Sequence, residues 1–381
     1  MILRRRGILK RATTFLARTE WPLIPAAALL LGAGLLVQWS VSGAREIPSG
    51  HLIRVAAAIL AAFAAAWFFT ARRLKSHAWL FYALSIVGLL VVLAAGRTTN
   101  NARRWIDLFG GFKIQPSEFM KLALILALAK WFADRPRPRR LEDLVVPAAL
   151  TLLPAALVLG QPDLGTALTF GPLFLAMAWA AGTPWKTLRW VVFLPVVLAP
   201  LAWFGVQDYQ RERVEIWWRQ GELTPEEKGD AGYHLWHAKL AVGSGGMNGF
   251  GWGEGPENRL DRLPERHTDF VFPVIAEEGG FLSAAALLLA YAALAGLALH
   301  GASRHRDPFV RLLIAGIGVH FAVHLVINVG VALALWPATG LPLPLVSWGG
   351  SSLAVAGLAI GAALAAGASR EPVFSSRAFG G

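Results

Sequence analysis

The chain has 381 residues, 55% of them hydrophobic and only 16% charged, whereas a soluble domain carries about a quarter charged residues. Its formal net charge of +12 falls in short clusters between long apolar runs, which fits a membrane protein fixing its orientation and argues against a nucleic-acid partner. Cysteine is absent, which excludes disulfides, zinc thiolates and thiol nucleophiles.

Arg4, Arg5, Arg6, Lys10 and Arg11 precede the first apolar run, so 1–20 is expected to be a cytoplasmic N-terminal segment. The run 21–41 is too long for the apolar core of a signal peptide and lacks a clear small-residue cleavage site behind it. It is read as a retained first span. Further stretches able to cross a hydrocarbon layer of about 30 Å follow at 53–70, 78–95, 116–133, 144–160, 164–181, 190–206, 269–299, 310–336 and 351–368. The expected fold is an all-α membrane protein with about ten transmembrane helices, a single polytopic domain over 1–381. Arg72, Arg73, Lys75, then Arg135, Arg137, Arg139 and Arg140, then Lys186, Arg189, Arg304 and Arg306 all share a side with the N-terminus. The tail 370–381 returns there, so both termini are expected in the cytoplasm.

Two segments on the opposite side break the charge pattern. The first, 96–115, carries Arg97, Arg103, Arg104 and Lys113 against Asp107 alone. The second, 207–268, is a large extracytoplasmic loop between helices 7 and 8, and loops of that length are usually functional. The basic residues suit an anionic ligand such as a phosphate; the head groups of membrane lipids suit them equally.

Polar residues within apolar runs need partners or a wet cavity, and four places stand out. In Gln115-Pro116-Ser117-Glu118 with Lys121, Pro116 is suited to a helix start. Glu118 and Lys121, three apart, can neutralise each other on one helix face, as a stapling pair or as part of a reactive site. In Gln161-Pro162-Asp163-Leu164-Gly165-Thr166, Asp163 is placed to cap the helix that follows. In Arg266-His267-Thr268-Asp269-Phe270, the large loop meets the next span. Asp269 there is either a cap or a carboxylate at the bilayer rim able to act as a general base. Glu277 and Glu278, deeper in that span, read as structural or cavity-lining. The fourth place is 340–351, where Pro342 and Pro344 interrupt the helix and Gly349, Gly350 and Ser351 restart one. It is either a re-entrant structural loop or a source of backbone N–H groups for a phosphate. Asn328 adds a buried polar group on the span before it.

Taken together, these motifs resemble the SEDS family, the shape, elongation, division and sporulation proteins, most closely the rod-shape branch. The match is carried by 115–121, 161–166, Tyr209-Gln210-Arg211-Glu212-Arg213, Tyr233-His234, 239–246, 263–269, 277–279 and 340–351, in order along nearly the whole chain. Trp348 departs from the Tyr or Phe expected in the last motif, and His237 stands where relatives carry another polar residue. The resemblance implies a ten-helix protein of the bacterial cytoplasmic (inner) membrane. It also implies peptidoglycan glycosyltransferase activity on lipid II and a class B penicillin-binding protein as partner. The family's essential acidic residue matches Asp269; supporting roles match Arg104, Glu118, Lys121, Asp163, Lys239 and Ser351.

Lipid II is an α-linked diphosphate and the finished glycan is β-linked, so a single inverting displacement is expected. Asp269 would serve as base. Arg104, Lys121 and Lys239, with or without a divalent cation (Mg or Mn), would stabilise the departing diphosphate. The prenyl tail calls for a groove open sideways to the outer leaflet, with Asp269 at its upper end. Two rival readings remain at this stage: a lipid II flippase, or a non-catalytic scaffold for a transpeptidase.

Overall fold

The computed structural model describes residues 20–44, 46–99, 102–107, 113–202, 208–224, 227 and 232–368. Ten helices of fifteen or more residues lie among the described residues, each overlapping one apolar stretch of the sequence. They are α1 (Leu23–Val41), α2 (Ser49–Phe68), α3 (Ala71–Ala95), α4 (Pro116–Ala133), α5 (Val145–Leu159), α6 (Leu164–Ala180) and α7 (Trp185–Ala202). After the short helices α8 (Asp208–Trp218), α9 (Tyr233–Ser244) and α10 (Pro256–Arg259) come α11 (Val271–Ser303), α12 (Pro308–Ala332) and α13 (Gly350–Gly367). Seven are long and apolar enough to cross a membrane: α1, α2, α3, α5 with the turn Glu142–Leu144 before it, α11, α12 and α13. α6 is apolar but shorter.

The bundle is layered by composition. The 18-residue windows of α13 and α12 are 83% and 67% buried, whereas those of α2 and α3 are 22% buried and present apolar side chains outward. α13 packs along α2, where Gly357 and Gly361 abut the backbone of Ala58 and Ala62, a small-residue contact typical of helices in lipid. Local chemistry sets the helix starts. Pro116 begins α4, Asp163 caps α6 by accepting from the Thr166 N–H at 3.2 Å, and Asp307 caps α12 through Phe309 and Val310.

The all-α expectation is corrected in one place. Segment 96–115 contains a three-stranded antiparallel sheet, β1 (Arg97–Thr99), β2 (Ala102–Asp107) and β3 (Lys113–Ile114). Its register pairs Thr98 with Arg103, Ile106 with Ile114 and Asp107 with Lys113. β-branched and aromatic residues (Thr98, Thr99, Trp105, Ile106, Ile114) favour pleated backbone here, and the sheet carries Arg104 over the helix ends.

α11 is broken at Gly280, whose φ of 66° is left-handed backbone suited to glycine. The segment after α9 fills the break. Phe281 and Leu282 N–H groups donate to the Gly246 and Met247 carbonyls, while Phe250 and Gly251 N–H groups donate to the Glu277 and Glu278 carbonyls. The large loop is thereby stitched into the bundle. Side chains complete the seam: Glu277 accepts from the Glu257 and Asn258 N–H groups at 2.7 and 3.2 Å. Glu278 accepts from Asn258 Nδ2 at 2.6 Å and from Ser40 Oγ.

Candidate functional site

Asp269 sits in the turn just before α11, with its N–H donating to Glu265 O at 3.0 Å. Three contacts anchor this strap. Asn328 Nδ2, from α12, donates to Asp269 O at 2.9 Å and to Leu341 O at 2.8 Å. Ser347 Oγ donates to Thr268 O while accepting from the Leu343 N–H at 2.8 Å. The Trp348 N–H donates to His267 O at 2.8 Å. The strap and loop 340–349 are therefore one hydrogen-bonded unit. Within it Gly340, at φ 66°, faces the Asp269 carboxylate.

A second cluster adjoins it at the start of α6. Arg104 Nη1 lies 3.8 Å from Asp163 Oδ1, and its Nε donates to Gln161 O at 3.3 Å with a further contact to Pro162 O. Gln115 Nε2 donates to Asp163 Oδ2 at 3.0 Å. Gly165 packs directly on the Thr339 carbonyl, which brings this cluster against the loop leading to Gly340. Arg213, from α8, donates to Ala338 O at 2.9 Å in that same loop.

These neighbours determine the acidity of Asp269. The residue keeps some exposed surface, yet enclosure by protein is the largest effect and pushes its carboxyl up to about 7. The negative charges of Glu265 and Asp163 push in the same direction, and Arg104 and Arg213 oppose them. A carboxyl balanced near neutrality is suited to accept a proton and release it again.

The other predicted residues are placed more variously. Ser351 Oγ accepts from the Gln115 N–H at 3.0 Å and donates to Lys113 O at 3.3 Å, fastening β3 and the start of α4 to α13. Lys121 and Glu118 are buried in the bundle and paired at 2.7 Å, with Lys121 Nζ also 3.0 Å from His324 Nε2. The Lys121 charge is thus consumed within the protein. Lys239 is exposed and donates to Gln220 Oε1 at 3.0 Å; neither lysine is among the charges acting on Asp269. Pro342 O meets His324 Nδ1 at 3.2 Å, and Pro344 O accepts from the Tyr291 hydroxyl. The Gly349 N–H is bonded to Ser347 O at 2.8 Å, and Gly350 opens α13.

Sequence reasoning gave Arg213 no individual role and did not single out His324. Arg213 lay inside a matched motif but 56 positions before Asp269, and no spacing rule links the two. Trp348 occupies a polar aromatic box: His51 stacks on it at 5.3 Å, the Arg54 guanidinium lies 4.5 Å from its ring centre, and His267 meets its edge. Among the described residues no group of three or more acidic or histidine side chains is assembled to hold a metal ion. Each Asp163 oxygen accepts one hydrogen bond, from Gln115 Nε2 and from the Thr166 N–H.

An apolar cavity of about 470 Å³ opens between α2, α3, α4 and α13, lined by Phe69, Phe81, Ile114, Pro116, Phe119 and Leu358 among others. Ile114 and Pro116 flank Gln115, so one end of the cavity adjoins the Asp163–Arg104 cluster.

A multi-pass helical membrane protein with an acidic centre under the charge of two arginines, and an apolar cavity among its helices, is the class that fold and site define. The cell cycle protein family model covering FtsW, RodA and SpoVE matches residues 21–371, and the chain belongs to that family, the SEDS proteins. It is 38% identical over 276 residues to peptidoglycan glycosyltransferase MrdB of Escherichia coli strain K12, covering 72% of this chain and 73% of that one. It is 33% identical over 334 residues to the probable peptidoglycan glycosyltransferase FtsW of Geobacter metallireducens, covering 84% and 86%. The rod shape determining protein RodA of Thermus thermophilus superposes with a TM-score of 0.67 at 31% identity, over 91% of this chain and 95% of that one. A chain from a peptidoglycan synthase complex that coordinates polymerization and crosslinking superposes with a TM-score of 0.78 at 32% identity, over 91% and 97%.

Proposed function

We propose that this protein is a peptidoglycan glycosyltransferase that polymerises lipid II into glycan strands during cell-wall elongation and cell-shape maintenance. The observation that carries the reading is the seat of the Asp269 carboxylate against Gly340, in a strap tied to loop 340–349 through Asn328 and Ser347, with the charges of Arg104 and Arg213 acting on it. Family membership and relatives named as peptidoglycan glycosyltransferases support it.

In this reading all ten long helices cross the bacterial cytoplasmic membrane as one domain with both termini inside. The sheet 97–114 and the large loop then face outward with Asp269. The apolar cavity receives the undecaprenyl tail sideways from the outer leaflet, and its end at Ile114 and Pro116 directs the diphosphate toward the arginines. Asp269 accepts the proton of the attacking 4-hydroxyl as that oxygen forms the new bond to the anomeric carbon. The bond to the diphosphate breaks from the opposite face, giving inversion. Arg104, partly buried, and Arg213, exposed and held to the Ala338 carbonyl, stabilise the negative charge that develops on the leaving group. The sequence reading gave this part to Arg104, Lys121 and Lys239; Arg213 joins Arg104 in it here, while the contacts of the two lysines lie elsewhere. A divalent cation (Mg or Mn) would enter with the diphosphate, and no step depends on it. A class B penicillin-binding protein is the proposed partner, consistent with the synthase complex that the fold resembles.

Purified protein given lipid II in detergent tests the reading. Glycan chains are expected; a flippase or a scaffold makes none, because detergent offers no two sides and a scaffold no chemistry. The contacts of Glu118, Lys121, Glu277 and Glu278 favour catalysis over transport, since all four are bonded inside the fold instead of lining a pathway.

A further inference from the structure

His320, His324 and Asn328 recur every four residues on α12 and therefore lie on one face, the face turned to loop 340–349. Asn328 and His324 hold two successive carbonyls of that loop, Leu341 O at 2.8 Å and Pro342 O at 3.2 Å. His324 is fully buried, and its other nitrogen, Nε2, lies 3.0 Å from Lys121 Nζ. The partners fix its chemistry. A carbonyl oxygen can only accept and an ammonium can only donate, so Nδ1 carries the proton, Nε2 is bare and the ring is neutral. Lys121 Nζ donates in turn to Glu118 Oε1 at 2.7 Å, a buried ion pair. One chain of contacts therefore runs from Glu118 through Lys121 and His324 to Pro342, two residues beyond Gly340, which faces the Asp269 carboxylate.

We propose that His324 is a positioning residue that clamps loop 340–349 to the Glu118–Lys121 pair and thereby sets the seat of Asp269. The proposal rests on the glycosyltransferase reading only for its kinetic consequence. Proline supplies no N–H, and Pro342 and Pro344 deprive this loop of the backbone bonds that would otherwise hold it. Carbonyl acceptors are its available handles, and α12 grips two of them. His320 packs edge-on against His324, centroids 4.5 Å apart, restricting the ring's tilt.

Three substitutions separate clamping from packing. His324→Asn retains a donor near the Nδ1 position for Pro342; His324→Gln reaches Lys121 but places no group at Nδ1; His324→Leu keeps neither bond. In lipid II polymerisation the Gln and Leu variants are expected to lose about tenfold or more in kcat, as misplacement of a reacting group does, with KM little changed. The Asn variant is expected to recover most of the rate. Amide exchange across 341–349, which needs no activity, is expected to quicken in Gln and Leu and to stay near wild type in Asn. Wild-type rate and exchange in the Gln variant, or an Asn variant as slow and as fast-exchanging as Gln, would overturn the proposal. If Leu does not fold, the Asn–Gln pair decides. If the wild type itself makes no glycan, the functional reading fails while the exchange pattern still judges the clamp.

Discussion

Gly340 and Asp269 are in register across the site: a Cβ built on Gly340 would stand 3.2 Å from Asp269 Oδ2, and the glycine's φ is +66°. The loop backbone forms one wall of the carboxylate's seat. Any side chain there meets both a strained backbone and the reactive group.

Gly340→Ala is therefore expected to destabilise the protein by about 1–2 kcal/mol from backbone strain. It should also lower kcat more than it raises KM, because the displaced atom belongs to the proposed base. Thermal melting in detergent and steady-state polymerisation check the two effects separately.

The raised pKa of Asp269 gives a pH signature. A base must be unprotonated, so kcat/KM is expected to rise with pH through about 7 and then level off. Arg104 lowers this value, so Arg104→Gln should move the rising limb to higher pH besides slowing the reaction. A limb that stays in place would mean Arg104 does not sense the carboxyl. The linkage to stability has the opposite sign to that of an ion-paired carboxylate. The folded protein holds this proton more tightly than the unfolded chain, so the contribution is fully present below the ordinary Asp value of 3.8 and lost as pH rises to about 7. Asp269→Asn should accordingly melt above wild type at pH 8, by roughly 2 °C for about 1 kcal/mol after discounting partial exposure, and the difference should vanish in acid.

Lys121→Met leaves the Glu118 carboxylate buried without its ammonium, an uncompensated charge that costs about 3–5 kcal/mol. Adding Glu118→Gln should recover part of that loss, since the remaining amide is neutral. Melting temperatures of the wild type, the single variants and the double variant close the cycle; full additivity would show that the pair is not coupled.

Ser85 lines the apolar cavity, and Ser85→Trp should fill part of it. Displacing two methylene groups of a prenyl tail loses about 1.6 kcal/mol, or about tenfold in affinity. KM for lipid II is expected to rise by that factor, and the effect should shrink with short-chain substrate analogues. Equal effects on long and short chains would place the tail elsewhere.

The sequence made the helices legible because an apolar run of some twenty residues has few alternatives in lipid. Their ends were harder to place. α3 begins at Ala71 and includes Arg72, Arg73 and Lys75, which lie outside the apolar window because polar side chains at a helix end reach the interface. The break in α11 falls at Gly280, directly after Glu277, Glu278 and Gly279 in the stretch read as one span, and what defines it is the incoming backbone of 246–251. The sheet was missed because β1 and β3 span only three and two residues and the six of β2, Ala-Arg-Arg-Trp-Ile-Asp, do not alternate apolar with polar. Asp163 as a cap was readable from local spacing alone. The environment of Asp269 was not: Arg104, Asp163 and Arg213 reach it from β2, the start of α6 and α8. Only tertiary packing brings such distant positions together.

The central claim is that Asp269 takes the proton of the attacking hydroxyl. The direct measurement is polymerisation of purified lipid II by Asp269→Asn, checked to insert and to bind the proposed transpeptidase partner as wild type does. The account predicts a loss of at least about a hundredfold in kcat, the scale of general-base catalysis, with lipid II still bound. A variant that builds glycan at close to the wild-type rate would contradict it.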